Sequence, residues 1–135
     1  MKNIFETKVY YADTDAYGVV WHGTYLRWME KGRCDLSEAL GFNLVELVKQ
    51  DIALPVASMN VKFKSSAKLN DTLIVETKIE EVTPLRAVFA QTIKNKDTGA
   101  THIVAKFDVV AVNNQGKLYR KLPDRLRIKL IEAME

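Results

Sequence analysis

Apolar residues return with a helical period from Val20 to Leu40. At about 100° per residue, Trp21, Tyr25, Trp28, Met29, Gly32, Leu36, Ala39 and Leu40 share one face, with Arg27, Lys31 and Glu38 opposite. Two tryptophans and a tyrosine on that face predict a largely buried helix. Gly32 sits in its middle, where glycine costs about 1 kcal/mol relative to alanine. A close packing contact is therefore expected there. Gly41 is placed to cap the C-terminus, and Glu30 and Arg33, spaced i, i+3, are expected to pair.

Elsewhere the period falls to two. Ile4 to Tyr11 is rich in β-formers and predicts a strand ending at Tyr11. Pro55 marks a boundary, after which Ala57, Met59, Val61 and Phe63 alternate with polar neighbours up to Lys64 and predict a half-buried strand. Asn70-Asp71 is a turn signal. Thr72 to Val82 has Leu73, Val75, Thr77 and Ile79 on one face. Leu85 to Asn95 has Leu85, Ala87, Phe89, Gln91 and Ile93 on one face, and a turn at Asp97–Gly99 follows. Thr101 to Val112 is nearly continuous in apolar residues and is expected to be central. A short helix over Asn43–Lys49 and a C-terminal helix opened by Pro123, with Leu126, Leu130 and Ala133 inward, complete the reading. Short turns favour antiparallel pairing. The expected class is α+β, an antiparallel β-sheet wrapped around one long α-helix.

Composition narrows the function. The 135 residues are expected to form a single domain, 1–135, with one core. The net charge of +3 gives no argument for nucleic acid. Cys34 is the only cysteine, so an intramolecular disulfide is excluded and a reducing, cytoplasmic location is expected. No apolar run approaches a membrane span, and the N-terminus has no signal-like core.

The candidate chemistry lies between the first strand and the long helix, in YYADTDAYGVVWHGTYLRWMEKGR, Tyr10 to Arg33. Asp13 and Asp15 stand in a loop, Gly18 allows a sharp turn, and His22 falls in the first helical turn. Asp13 is read as a loop carboxylate accepting backbone N–H groups. Free N–H groups at a helix start, helped by the macrodipole, are ready donors to a developing oxyanion. His22 has three readings: orienting a carbonyl, assisting a leaving group, or packing. Tyr25 is read as wall or core.

Tyr11-Ala12-Asp13-Thr14-Asp15, Gly18-Val19-Val20, His22, Tyr25, Glu30 and Arg33 together resemble the signature of the 4-hydroxybenzoyl-CoA thioesterase family, and within it the bacterial Tol–Pal-associated acyl-CoA thioesterases. The element order resembles that family's hot-dog fold. This resemblance implies hydrolysis of a CoA thioester to a carboxylic acid and free CoA, without metal or cofactor. It implies that Asp15 is the catalytic carboxylate with His22 beside it, and that the backbone N–H groups of His22 and Gly23 polarise the carbonyl. It also implies a dimer or tetramer with sites at the subunit interface. Tyr17 stands where many relatives have a small residue and is expected to narrow the acyl pocket, beside Tyr25. Asp15 suits either nucleophilic attack or general-base activation of water.

CoA carries phosphates, and Lys62, Lys64, Lys68 and Arg86 are candidates to meet them. A second basic cluster, Lys117, Arg120, Lys121, Arg125, Arg127 and Lys129, is a further candidate for those phosphates; offset only by Asp124, it also fits an anionic partner or membrane surface, and with one interleaved aromatic, Tyr119, it is thin for nucleic acid. An EF-hand starting at Asp13 fails because Thr24 stands where a bidentate Glu is needed. The alternative is a hot-dog protein that binds an acyl-CoA or acyl carrier without cleaving it.

Overall fold

The computed structural model describes residues 1–134. In chain order the elements are β1 (Lys2–Lys8), α1 (His22–Ala39), α2 (Leu44–Lys49), β2 (Val56–Phe63), β3 (Thr72–Val82), β4 (Ala87–Asn95), β5 (Thr101–Val109) and α3 (Asp124–Met134). The strands form one sheet in the order β1-β3-β4-β5-β2, antiparallel throughout. The sheet wraps one long helix, which is the hot-dog arrangement.

The core lies between the sheet and α1. Met29 and Leu36 of α1 are fully buried with Leu73, Val75, Ile93 and Ile103 of the sheet. Burial of Leu126, Leu130 and Ala133 seats α3 on the same side. Its face meets Phe42, Ala87, Phe89 and Val109 around a small apolar cavity. The alternation read in β3 matches its burial. In β4 it holds for Ala87, Phe89, Gln91 and Ile93, but the strand starts at Ala87, Leu85 before it is exposed, and Val88 on the other face is also buried.

The end of α1 is a Schellman motif. Gly41, at φ +91°, donates its N–H to the Glu38 carbonyl, and Phe42 donates to Ser37. α2 starts one residue later than expected, because Asn43 stays outside as its cap and its side chain accepts from the N–H groups of Val45 and Glu46.

Four expectations are corrected. The first strand stops at Lys8, and Tyr11–Asp13 is a 3-10 turn. The Asp13 carboxylate accepts the Tyr10 N–H, and the Thr14 hydroxyl donates to the Tyr11 carbonyl, which bends a β-rich stretch out of the sheet. The middle strand is β4, while β5 lies between β4 and the edge strand β2. β2 is exposed along almost its whole length rather than half-buried. The reason is that α1 packs over β3 and β1, leaving the inner face of β2 beside open space. Finally, no ion pair joins Glu30 to Arg33 among the described residues. Arg33 instead donates to the Gln91 side chain at 2.9 Å, with its guanidinium 4.1 Å from the Phe107 ring centre.

Candidate active site

The loop before α1 is folded by its own polar groups. Asp15 and Val19 are joined by the Asp15 N–H donating to the Val19 carbonyl at 2.9 Å. Inside that turn the Gly18 N–H donates to the Asp15 carbonyl, and Gly18 takes φ +77°, where a side chain would be strained. One carboxylate oxygen of Asp15 accepts the Tyr17 N–H at 2.8 Å. The other has no protein donor among the described residues. Asp15 is half-buried, and Tyr17, at the tip, is 90% exposed.

The helix begins two residues later than its apolar period suggests, because the residues before it serve the loop. Val20 donates to the Ala67 carbonyl and Trp21 to the Asp13 carbonyl. Thr24 donates to Trp21 at the first turn. Between them, the N–H groups of His22 and Gly23 have no acceptor among the described residues. These are two of the orphan donors that every helix start carries, here not capped by a side chain. A side chain at residue 23 would run into the indole of Trp21, so glycine lets that ring lie against the helix start.

The His22 ring is exposed and lies 5.0 Å from the Trp21 ring, centre to centre. No hydrogen bond joins it to Asp15 among the described residues. Tyr25 is 3% exposed, so it is not a wall that substrate touches. Its ring packs edge-on to Trp28 and against Phe63, and its hydroxyl oxygen accepts the Ala67 N–H at 3.0 Å. Burial pushes the Tyr25 phenol pKa up, the Ala67 bond opposes this, and the carboxylates of Asp71 and Asp15 add to the rise.

The basic residues divide between the two ends of the sheet. Lys62 and Lys64, at the β2 end, and Lys68, bridged to Val19, are exposed on the Asp15 side. None of their ammonium groups has an acidic partner among the described residues, although the Lys68 backbone N–H donates to the Asp71 carboxylate. Arg86 lies at the opposite end of β3 and β4, about 30 Å away at ~3.3 Å per strand residue, and is bound to Asp108 at 2.7 Å. It does not join the group.

A groove runs along the β2 side of α1. One part, about 440 Å³, is lined by Leu26, Glu30, Arg33, Val56, Met59 and Phe107. A second part, about 260 Å³, shares Arg33 and extends to Cys34, Ser37 and Leu54. Neither part is lined by Asp15 or His22.

A sequence profile of the thioesterase superfamily matches residues 17–102. The DHNA-CoA thioesterase of Staphylococcus aureus is 32% identical over 98% of this chain and 87% of its own, with a TM-score of 0.85. The chain belongs to the thioesterase superfamily. That membership agrees with the expectation of a thioester hydrolase. The acyl-CoA thioesterase YbgC of Haemophilus influenzae is 39% identical over 88 residues, 64% of this chain and 65% of the relative. The 1,4-dihydroxy-2-naphthoyl-CoA thioesterase Slr0204 of Synechocystis covers 100% of this chain and 99% of its own with a TM-score of 0.87; at 21% identity the likeness is one of fold.

Sequence reading took only the Lys68 charge from the segment Ser65–Lys68 and overlooked its backbone. Ala67 is fully buried and touches the loop through its carbonyl and the helix through its N–H. Its role comes from those backbone groups, with the Ser65 hydroxyl holding the segment to Thr101. Also overlooked was His102, 3% exposed, whose Nδ1 lies 3.0 Å from the Ser65 hydroxyl. No helix among the described residues is long and apolar enough to cross a membrane.

Proposed function

We propose that the chain hydrolyses an acyl-CoA thioester to a carboxylic acid and free CoA. The observation that carries this reading is the pair of unpaired amides at the start of α1, His22 and Gly23, on the element that immediately follows the Asp15 turn. The relatives named as acyl-CoA and DHNA-CoA thioesterases support CoA as the carrier.

The chemistry follows from the donor set. The thioester oxygen takes both amide hydrogens, which stabilise the negative charge that grows as the carbonyl carbon becomes tetrahedral. Asp15 attacks that carbon to give a mixed anhydride, which water then cleaves to release the acid and restore Asp15, or it takes a proton from a water that attacks the carbon itself. In either course the C–S bond breaks and the CoA thiolate leaves with its electron pair. His22 stands beside the same amides, exposed, and is positioned to meet the sulfur or the carbonyl rather than to orient Asp15. Lys62, Lys64 and Lys68 offer unneutralised charge to the phosphates. Tyr17 borders the entrance.

The working unit is a homodimer or a higher assembly built from it. β2 is an open sheet edge whose inner face exposes Met59 and Phe63, each 56%. Such an edge is a template for a second strand, and a second copy there would roof the groove beside α1.

The test offers aliphatic and hydroxylated aromatic acyl-CoAs with a thiol-detecting dye, to the native protein and to Asp15→Asn. Turnover is expected in the first and a loss of roughly a hundredfold in the second. Equal rates remove Asp15 from the mechanism, and tight binding with no turnover favours a carrier-binding protein. A single turnover in H₂¹⁸O separates the two courses: label entering Asp15 marks the anhydride.

A further inference from the structure

Tyr25 has a hydroxyl that core packing does not require. Its ring contacts with Trp28 and Phe63 would be made equally by phenylalanine. The hydroxyl serves one bond, from the fully buried N–H of Ala67. The Ala67 carbonyl in turn takes the N–H of Val20, and Lys68 bridges Val19, whose carbonyl takes the N–H of Asp15. On the other side the segment is held to the sheet, by Lys64 donating to His102 and the Ser65 hydroxyl donating to Thr101, and by Lys68 donating to the Asp71 carboxylate. The phenol therefore ties the helix to this segment, beside a second tie in which the Thr24 hydroxyl and the Trp21 N–H donate to the Asp13 carbonyl. It fixes how far the first turn of α1 stands from the strip on which the Asp15 turn lies.

Resting on the reading of Asp15 and of the His22 and Gly23 amides given above, we propose that Tyr25 is a positioning residue, whose hydroxyl sets the distance between the Asp15 carboxylate and the amide donors through Ala67. It touches no substrate. Both halves of the site are linked through it: the donors belong to its own helix, and beyond Ala67 the Asp15 turn is reached by two backbone hydrogen bonds, Val20 to Ala67 and Asp15 to Val19, while the bonds to the Asp13 carbonyl fix the other side of the loop. A misplacement of about 1 Å between reacting groups costs up to a hundredfold in rate, so one such tie is enough to matter.

The test is Tyr25→Phe, which keeps the ring, set against Leu130→Ala, which loosens α3 away from the site. In Tyr25→Phe, amide hydrogen exchange is expected to quicken about tenfold at Val20 and Asp15, more than at the core strands. With an acyl-CoA the native protein cleaves, kcat is expected to fall roughly tenfold or more while KM stays within about twofold. Leu130→Ala lowers Tm without either effect. Unchanged exchange at Val20 and Asp15 overturns the proposal, and so does a kcat equal to the native value at a temperature where both are folded. If the native protein cleaves no thioester, the hydrolase reading fails by itself, and the exchange comparison still decides whether Tyr25 holds the Asp15 turn.

Discussion

Gly32, in the middle of α1, lies against the hydroxyl of Thr77 on β3. A Cβ added at Gly32 would collide with that hydroxyl and stand 3.0 Å from Nε2 of Gln91. Both neighbours are buried and hydrogen-bonded to each other at 2.7 Å, so neither can step aside freely. Helix propensity favours Gly32→Ala by about 1 kcal/mol, while overpacking a buried contact costs about 1–3 kcal/mol. The packing term wins. Gly32→Ala is expected to lower Tm by a few degrees in a thermal melt; a rise in Tm would mean that the helix stands off from the sheet.

Gln91 makes three side-chain bonds, two to that helix and one to Thr77 within the sheet. Its Nε2 donates to the Met29 carbonyl at 2.8 Å and to Thr77, and its Oε1 accepts from Arg33. Burial lowers the Arg33 pKa and the Glu30 carboxylate opposes that, so the guanidinium keeps its charge while losing water. Gln91→Leu strips the acceptor from a half-buried charge and the donor from a buried carbonyl, at a cost of about 2–4 kcal/mol in urea unfolding. Adding Arg33→Leu should recover part of that loss, because removing both partners leaves less unpaired than removing one. A strictly additive double mutant would show the two side chains to be independent.

Elements whose boundaries are set by local chemistry were legible in the sequence. Gly41 ends α1, Pro123 precedes α3, and the close contact at Gly32 follows from a glycine where helices avoid one. The helix was expected from Val20, so its unpaired amides fall two residues later than the apolar period alone gave, at His22 and Gly23. What stayed hidden depends on partners distant in sequence. Val9 to Tyr11 reads as strand until the Asp13 carboxylate, read correctly as a loop acceptor, is seen to turn it. Arg33 reads as a partner for Glu30 until Gln91, far along the chain, is brought beneath it. Met59 and Phe63 alternate as a half-buried strand should, yet the helix that would cover them lies over other strands.

Cys34 should react slowly with alkylating agents at neutral pH. Burial pushes its thiol pKa up, and the carboxylate of Glu30 adds to the rise while Arg33 opposes it. The thiolate is the reactive form, so a raised pKa cuts its fraction at pH 7 and moves the rise in rate to higher pH than for an exposed thiol of pKa near 8.5. Iodoacetamide labelling across pH 7–10, compared with glutathione, checks this. A half-rise at or below that of glutathione would contradict it.

The two edges of the sheet are unlike, which bears on assembly. β1 carries Lys2, Glu6 and Lys8 in exposed positions around one exposed apolar residue, Ile4, and those charges discourage another strand from docking. β2 presents Val56, Met59 and Phe63, all substantially exposed, with Lys62 its one charge, and its outer edge has no strand beside it. An apolar edge of this kind left bare would aggregate, and an isologous pairing of β2 with β2 of a second copy removes it while keeping two-fold symmetry. In light scattering the native protein is expected to run at a multiple of its 15.4 kDa chain mass. Met59→Lys sets like charges near the pairing axis and is expected to shift the population towards monomer, more so at low salt where screening is weak. The same substitution should lower kcat/KM, because the groove beside α1 would lose its second wall. A native protein monomeric at micromolar concentration, or a Met59→Lys variant of unchanged mass, would place the assembly surface elsewhere.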